Sequence, residues 1–183
     1  MDAESAMDAA NPMSRIAAFA TAPQAAAALD DIDRQLLVAL SHDGRKSHRA
    51  LAREIPLSPP AIGERIARLE RLGVIQGYTV RIGWPEVGFP IVAHLAISIT
   101  AGADLAAIMD AISELPELEA AHIVTGQWDV LVRFRVADHR GLQTLVLAKV
   151  WQIPGIQRVE TNLELARVIG DSTRLEGTDD SAP

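Results

Sequence analysis

Apolar residues in this chain change their spacing near residue 90, and this change constrains the fold more than any other feature. Before that point they recur every three or four positions, as Ile62, Ile66 and Leu69 do, which is the spacing of a helix with one buried face. Residues 91–100 instead alternate between two sets of side chains, which is typical of a strand. The sequence therefore predicts a helical module followed by a module that contains a sheet.

The helical module is predicted to contain three short helices. Asp30 or Asp31 is predicted to cap the first helix, which ends near Leu40, and Ser47 to cap the second, which covers about 48–54. Ser58 is predicted to cap the third, which has Pro59 at its first position and ends near Leu72. Pro56 lies in a tight turn before the third helix, because proline does not fit inside a helix. Two helices joined by such a turn form the helix-turn-helix pattern. Residues 75–80 after the third helix are predicted to form a small hairpin, or wing.

The second module alternates strands and helices in the order βαββαβ. Strands are predicted at 91–100, 118–125, 129–136 and 157–168, and two helices are predicted from the apolar spacing over 105–115 and 142–153. This order predicts a ferredoxin-like sheet with both helices on one face. The other face has no helix to cover it, so we expect it to pair with a second copy of the chain. The predicted fold class is therefore α+β, a winged helix-turn-helix domain followed by a ferredoxin-like domain.

Composition shifts along the chain predict five segments. Residues 1–28 are an Ala-rich tail, disordered or weakly helical, 29–82 form the helical domain, and 83–90, with two prolines and two glycines, form a linker. Residues 91–170 form the sheet domain. We expect the small and acidic residues of 171–183 to be disordered.

Charge is unevenly distributed between the two modules. The whole chain has a net charge of −7, but residues 42–81 hold eight Arg and Lys against four Asp and Glu. Phosphate binding depends on the local field, so the helical module is a candidate for binding nucleic acid. On charge alone, a solvated basic helix face explains the same numbers equally well.

Several classes of protein are excluded by what the sequence lacks. There is no cysteine, which excludes disulfides, thiolate metal sites and cysteine nucleophiles and fits a bacterial cytoplasm. No apolar run reaches the roughly 18 residues of a membrane span, so no membrane partner is expected. His94, His122 and His139 are too scattered for a metal site. The common hydrolase, phosphate-loop and dinucleotide motifs are missing as well, so neither a metal nor a cofactor is predicted.

The third helix is the candidate for reading DNA. Burying Ile62, Ile66 and Leu69 is predicted to turn its other side chains outward, with Arg65 on the flank; the outward set is Pro60, Ala61, Glu64, Arg68 and Arg71. Arg65 and Arg68 are then predicted to reach guanine edges or phosphates. The helix N-terminus after Ser58 and Pro59 is predicted to bind a phosphate. Backbone phosphates are the expected partners of Arg45, Lys46 and Arg49.

Several of these segments together resemble one known family. The runs are Leu29-Asp30-Asp31-Ile32-Asp33-Arg34, Asp43-Gly44-Arg45-Lys46-Ser47, Leu57-Ser58, Arg65-Ile66-Ala67-Arg68-Leu69-Glu70, Gly73-Val74-Ile75-Gln76-Gly77-Tyr78, Val124-Thr125-Gly126-Gln127-Trp128-Asp129 and Ile153-Pro154-Gly155-Ile156. In this order they are similar to the Lrp/AsnC, or feast/famine, bacterial transcription regulators. The resemblance covers roughly residues 29–169.

The resemblance implies a DNA-binding domain followed by an effector-binding (RAM) domain. Members respond to amino acids or related metabolites, and they form dimers by sheet pairing and often octamers. The resemblance implies that the effector lies between dimers, and the matching positions are Ile123, Val124, Thr125, Gly126, Trp128 and Asp129, with His139, Asn162, Leu163 and Glu164 as further candidates. Backbone N–H groups at Thr125 and Gly126 would hold a carboxylate, and Asp129 would pair with an ammonium. A turn in which Asp129 bonds to its own backbone is the alternative.

Two other functions share parts of this pattern. Siroheme decarboxylases of tetrapyrrole biosynthesis resemble the family in both halves, and His122 precedes the Gly-Gln-Trp-Asp turn as a cavity residue of such an enzyme would. A metabolite sensor that has lost DNA binding is the second alternative. The intact basic third helix favours a DNA-binding regulator that is not an enzyme, and we predict double-stranded DNA and a small effector as its partners.

Overall fold

The computed structural model describes residues 26–168, which divide into two compact units. One unit comprises residues 26–81, called here the helix unit, and the other comprises 82–167, called the sheet unit. Of the predicted tails, residues 1–25 and 171–183 lie outside the described residues. Within residues 26–168, no helix is long and apolar enough to cross a membrane.

The helix unit contains three helices, α1 (Asp31–His42), α2 (His48–Leu51) and α3 (Pro59–Arg71). Each begins after a polar residue whose side chain accepts a backbone N–H bond, as expected for helix caps; these residues are Asp30, Ser47 and Ser58. Their apolar stripes meet in one buried cluster of Leu36, Leu51, Ile55, Ile62 and Ile66. The predicted helices are present, although α2 ends three residues earlier than the sequence predicts.

The hairpin predicted over residues 75–80 does not form within the described chain. No strand lies between residues 72 and 90, and Gly77 lies in this stretch with a φ of 156°. The reason is that the segment has no second apolar run with which to pair. Tyr78 instead packs beside Gly44 and donates a hydrogen bond of 3.0 Å to Glu70 at the end of α3. Burial, and then the neighbouring Glu70 carboxylate, raise the pKa of the Tyr78 hydroxyl.

The sheet unit has the predicted βαββαβ order. Its elements are β1 (Ile91–Ile99), α4 (Leu105–Ser113), β2 (Leu118–Ile123), β3 (Val130–Val136), α5 (His139–Gln143) and β4 (Ile156–Leu163). Helical turns continue α5 through the wider Thr144–Lys149 and the tighter Val150–Gln152. The sheet is antiparallel, with the order β2-β3-β1-β4. The predicted α+β fold class is confirmed.

The two faces of this sheet differ in character. Alternate residues of β1 and β3 bury against α4 and α5, and Phe134 at 0% exposure is the largest side chain of that core. On the opposite face, called here the open face, no α-helix of residues 26–168 packs. It presents Arg133 3.0 Å from Glu119, and His94 3.0 Å from Glu164. His94, more than any other neighbour, lowers the pKa of the Glu164 carboxyl.

Candidate functional site

The surface of α3 opposite its buried stripe consists of a short row of side chains. Pro60, Glu64 and Arg71 are exposed and Ala67 is half-exposed, and each lies three or four residues from the next. This spacing places them on one face of the helix. The predicted outward positions of Pro60, Glu64 and Arg71 therefore agree with the structure.

Arg65 and Arg68 face α1 and form ion pairs there, and their predicted contact with base edges or phosphates stays a prediction. Arg65 donates to both Asp30 and Asp33, at 2.6 and 2.9 Å, through Nη1. Arg68 donates to Asp33 through Nη1 at 3.0 Å and to the carbonyl oxygen of Ala28 through Nη2 at 3.1 Å. The physical reason is Asp33, which is 1% exposed and whose buried carboxylate requires cationic partners.

The ion pairs at the start of α1 affect the ionisation of the groups involved. The backbone N–H of Asp33, and after it the Arg65 guanidinium, hold the pKa of the Asp30 carboxyl below its usual value. The same contact with Asp30, followed by that with Asp33, raises the pKa of Arg65. Asp30 and Asp33 also form a reciprocal capping box at the N-terminus of α1. This cluster therefore fixes α3 against α1, which is a structural role that the charge count did not reveal.

The other cations predicted to contact DNA differ in whether a carboxylate neutralises their charge. Lys46 forms an ion pair of 2.7 Å with Glu54, so its charge is already compensated. Arg45, Arg49 and Arg71 are exposed, and none of them forms an ion pair with a residue of 26–168. Arg53 is equally exposed and was not predicted. Its position four residues after Arg49 is the sequence signal that would have identified it.

A turn at one end of the sheet unit contains the predicted effector residues. Gly126 has a φ of 125°, and apart from its chain neighbours no atom of residues 26–168 lies within 4 Å of the position that a Cβ would take. The glycine is therefore required by its backbone conformation and not by a close neighbour. Ile123 ends β2 and packs against the core, while Thr125 and Gly126 are exposed.

Asp129 forms three hydrogen bonds, one that closes the turn to Val124 and two to the end of β1. Its carbonyl accepts from Val124 at 3.0 Å, its N–H donates to Ile97 at 3.0 Å, and its Oδ2 accepts from the N–H of Ile99 at 2.9 Å. The carboxylate thus bonds to backbone, as the structural alternative proposes, but to a neighbouring strand and not to its own turn. Among residues 26–168, only one of its two oxygens, Oδ2, accepts a hydrogen bond in this way.

Trp128 lies beside a cation that the sequence analysis missed. The guanidinium of Arg158, near the start of β4, lies 4.8 Å from the centre of the Trp128 ring. Within residues 26–168, its ion-pair partner is Glu160 at 3.8 Å, which is a weak pairing. The strand register that aligns Arg158 with Ser98 of β1 brings the two together, and this register is decided by tertiary pairing.

His139 and Asn162 are not brought to this turn within one chain. His139 begins α5, after the end of β3 that is remote from Asp129. The seven residues of β3 separate the two ends by about 20 Å. Asn162 aligns with His94 in the middle of β1, on the open face. Because the resemblance implies an effector site between dimers, their part in that site stays a prediction.

Two family models match the chain. The AsnC-type helix-turn-helix domain matches residues 29–70, and the Lrp/AsnC ligand binding domain matches residues 92–173. Together they cover more than half of the chain, one model in each unit.

Two curated proteins are similar to this chain across both family domains. An uncharacterised HTH-type transcriptional regulator of Pyrococcus abyssi is 34% identical over 135 residues, covering 74% of this chain and 85% of that protein. The leucine-responsive regulatory protein of Escherichia coli is 32% identical over 142 residues, covering 76% and 87%.

Among solved structures, the feast or famine regulatory protein from M. tuberculosis complexed with L-methionine is 32% identical, with a TM-score of 0.72 over 79% of this chain and 97% of that one. The E. coli AsnC structure superposes with a TM-score of 0.75 over 80% and 98%, and at 23% identity it supports the fold alone.

Proposed function

We propose that this chain, which belongs to the Lrp/AsnC family and is a ligand-modulated DNA-binding regulator, takes an amino acid as its effector. The DNA contact is made by the outward row of α3, and the effector binds at the turn before β3. The observation that supports the DNA contact most directly is the exposed face of α3, flanked by cations without ion-pair partners among residues 26–168.

The electrostatic part of DNA binding is assigned to three arginines. Arg45, Arg49 and Arg71 are exposed and unpaired within the described chain, so each is free to neutralise a phosphate. Arg65 and Arg68 instead hold α3 in place through Asp33. The affinity for DNA therefore depends on the three exposed arginines, whereas the geometry of the site depends on the two arginines that are bound to Asp33.

Binding to duplex DNA upstream of the gene will weaken as salt rises, and replacing Arg45, Arg49 and Arg71 together by Ala will make that dependence shallower. Each lost phosphate contact lowers the slope of log affinity against log salt by about 1, so we expect a decrease of about 3. Fluorescence anisotropy over a salt series measures this slope. As a control, Arg140→Ala with Arg167→Ala removes exposed charge from the sheet unit. Failure of the wild type to bind at low salt contradicts the proposal, as does an unchanged slope in the triple variant.

The amino-acid effector is supported by two relatives above 30% identity. One is named for its response to leucine, and the other was solved with L-methionine. An amino acid offers an ammonium and a carboxylate, and the turn offers a partner for each. The second oxygen of Asp129 pairs with the ammonium, while Arg158 or the N–H groups of Thr125 and Gly126 take the carboxylate.

Asp129→Asn will separate the two roles of this carboxylate. The amide oxygen still accepts the N–H of Ile99, so the turn keeps its shape, but the charge that pairs with the ammonium is lost. We expect affinity for L-methionine or L-leucine to fall by at least tenfold in calorimetry, since a charge-assisted bond contributes about 1.5–3 kcal/mol. Asp129→Ala will lower the melting temperature as well.

The control for this pair of variants is Glu114→Gln, which neutralises an exposed carboxylate at the end of α4. An Asp129→Asn variant that binds as tightly as the wild type would remove the ammonium contact from the proposal. A wild-type chain whose melting temperature responds to none of the twenty amino acids would overturn the amino-acid effector itself.

Assembly and location complete the proposal. We propose that two copies pair through the open face, where Leu131 is 41% exposed, and that such dimers assemble further, up to octamers, in a bacterial cytoplasm. Light scattering after size-exclusion chromatography tests the assembly.

The matched curated proteins are named as regulators, and we propose no catalytic activity. Incubation with siroheme, followed by absorbance, would reveal the alternative enzyme.

A further inference from the structure

Glu64 is a carboxylate at the centre of a surface that the proposed function places against DNA. It is exposed on α3, two residues from the buried Ile62 and therefore on the opposite side of the helix. Pro60 lies one turn before it and Ala67 one turn after it. Neither neighbour has a long side chain, so Glu64 has the longest side chain in this part of the outward row.

Glu64 is not neutralised by the arginines near it. Arg68, four residues later, is positioned for an ion pair along the helix, but its guanidinium donates to Asp33 and Ala28 instead. Arg65 is likewise bound to Asp30 and Asp33. Within residues 26–168, Glu64 has no ion-pair partner. The cluster around Asp33 thus leaves an uncompensated negative charge on the outward face.

An uncompensated carboxylate repels the phosphates of a duplex unless it accepts a hydrogen bond from a base. In the major groove the donors on base edges are the exocyclic amino groups, and glutamate is suited to the N4 amino group of cytosine. A carboxylate at this position weakens binding to every DNA sequence that lacks such a donor. The protein therefore discriminates against those sequences. Glu64 therefore contributes to specificity and not to affinity.

We propose that Glu64 reads a cytosine in each half of the DNA site by accepting a hydrogen bond from its N4 amino group. The inference rests on the proposed function, because it requires α3 to lie in the major groove. Arg71, seven residues further along the same face, then lies about 10 Å away along the helix axis. At that distance it contacts the phosphate backbone, while Glu64 contacts the base.

Selection from a randomised duplex library tests this assignment with the full-length protein. We expect the wild type to enrich a C·G pair at one position of each half-site, with about a tenfold preference. Glu64→Gln will change that position to adenine, since the amide recognises N6 and N7 of adenine. Glu64→Ala will lose the preference there and bind random duplex at least as tightly as the wild type.

Asp31→Ala is the control, because it removes the same charge from an exposed site on α1. It should leave the enriched sequence unchanged. If the wild type enriches a motif that both Glu64 variants retain at every position, the inference about Glu64 is overturned and the proposed function stands. If the wild type binds no duplex at low salt, the proposed function fails, and the inference fails with it.

Discussion

Replacing Asp33 with Ala will lower the free energy of unfolding of the helix unit by about 3 kcal/mol. Its carboxylate is 1% exposed, accepts from Arg65 and Arg68, and also bonds to the N-terminus of α1. Breaking a buried ion pair costs about 3–5 kcal/mol, and we expect the lower end because both guanidiniums keep some access to water. The side chains of Arg65 and Arg68 are 31% and 42% exposed.

Hydrogen exchange of the α1 and α3 amides in the full-length protein measures this loss. Tryptophan fluorescence does not report on it, because Trp84, Trp128 and Trp151 all lie in the sheet unit. Asp31→Ala is the matched control, an exposed carboxylate on the same turn of α1. If both variants exchange at the same rate, the Asp33 cluster does not fix α3. Weaker DNA binding by Asp33→Ala should accompany the loss of stability.

Gly155→Ala will destabilise the sheet unit by about 3 kcal/mol, for two reasons that add. Gly155 has a φ of 93°, which an alanine adopts only with strain of about 1 kcal/mol or more. A Cβ at this position would also lie 2.8 Å from the Cβ of Ala103 and 3.1 Å from Ile108 of the core. Overpacking of this kind costs about 1–3 kcal/mol.

Gly102→Ala separates these two effects. Gly102 has a similar φ of 82°, but no atom lies within 4 Å of where its Cβ would be. We therefore expect a loss of only about 1 kcal/mol for this control. Urea unfolding followed by tryptophan fluorescence suits both variants, because the tryptophans lie in the sheet unit. Equal losses for the two variants would show that the contact with α4 has no energetic effect.

Local sequence rules predicted the elements well where one short signal was sufficient. The caps at Ser47 and Ser58 lie where the sequence predicts, the first cap is Asp30 of the two residues that the sequence offered, and alternation identified β1. The hairpin at 75–80 failed because a strand needs a partner, which a local pattern does not supply. Arg158 was not predicted for the same reason, since its contact with Trp128 depends on the alignment of β4 with β1.

The candidate site was predicted less completely than the fold. Helical periodicity placed Glu64 and Arg71 on the outside of α3 correctly, because the buried stripe alone determines the opposite face. It did not distinguish a free arginine from a bound one. Arg65 and Arg68 lie on the flank of the helix, where the neighbouring α1 decides what they contact.

By itself, the sequence determined the order of elements, the class of fold and the helix that faces outward, because these follow from spacing and caps within a few residues. Only the tertiary structure decided which charges are available. Asp33 lies 32 and 35 residues from the arginines that it binds, and Asp129 lies 30 residues from the N–H that it accepts. The Asp33 pairs form because a buried carboxylate requires a partner when water is excluded. In both cases the folded chain determines which group is near enough to provide the contact.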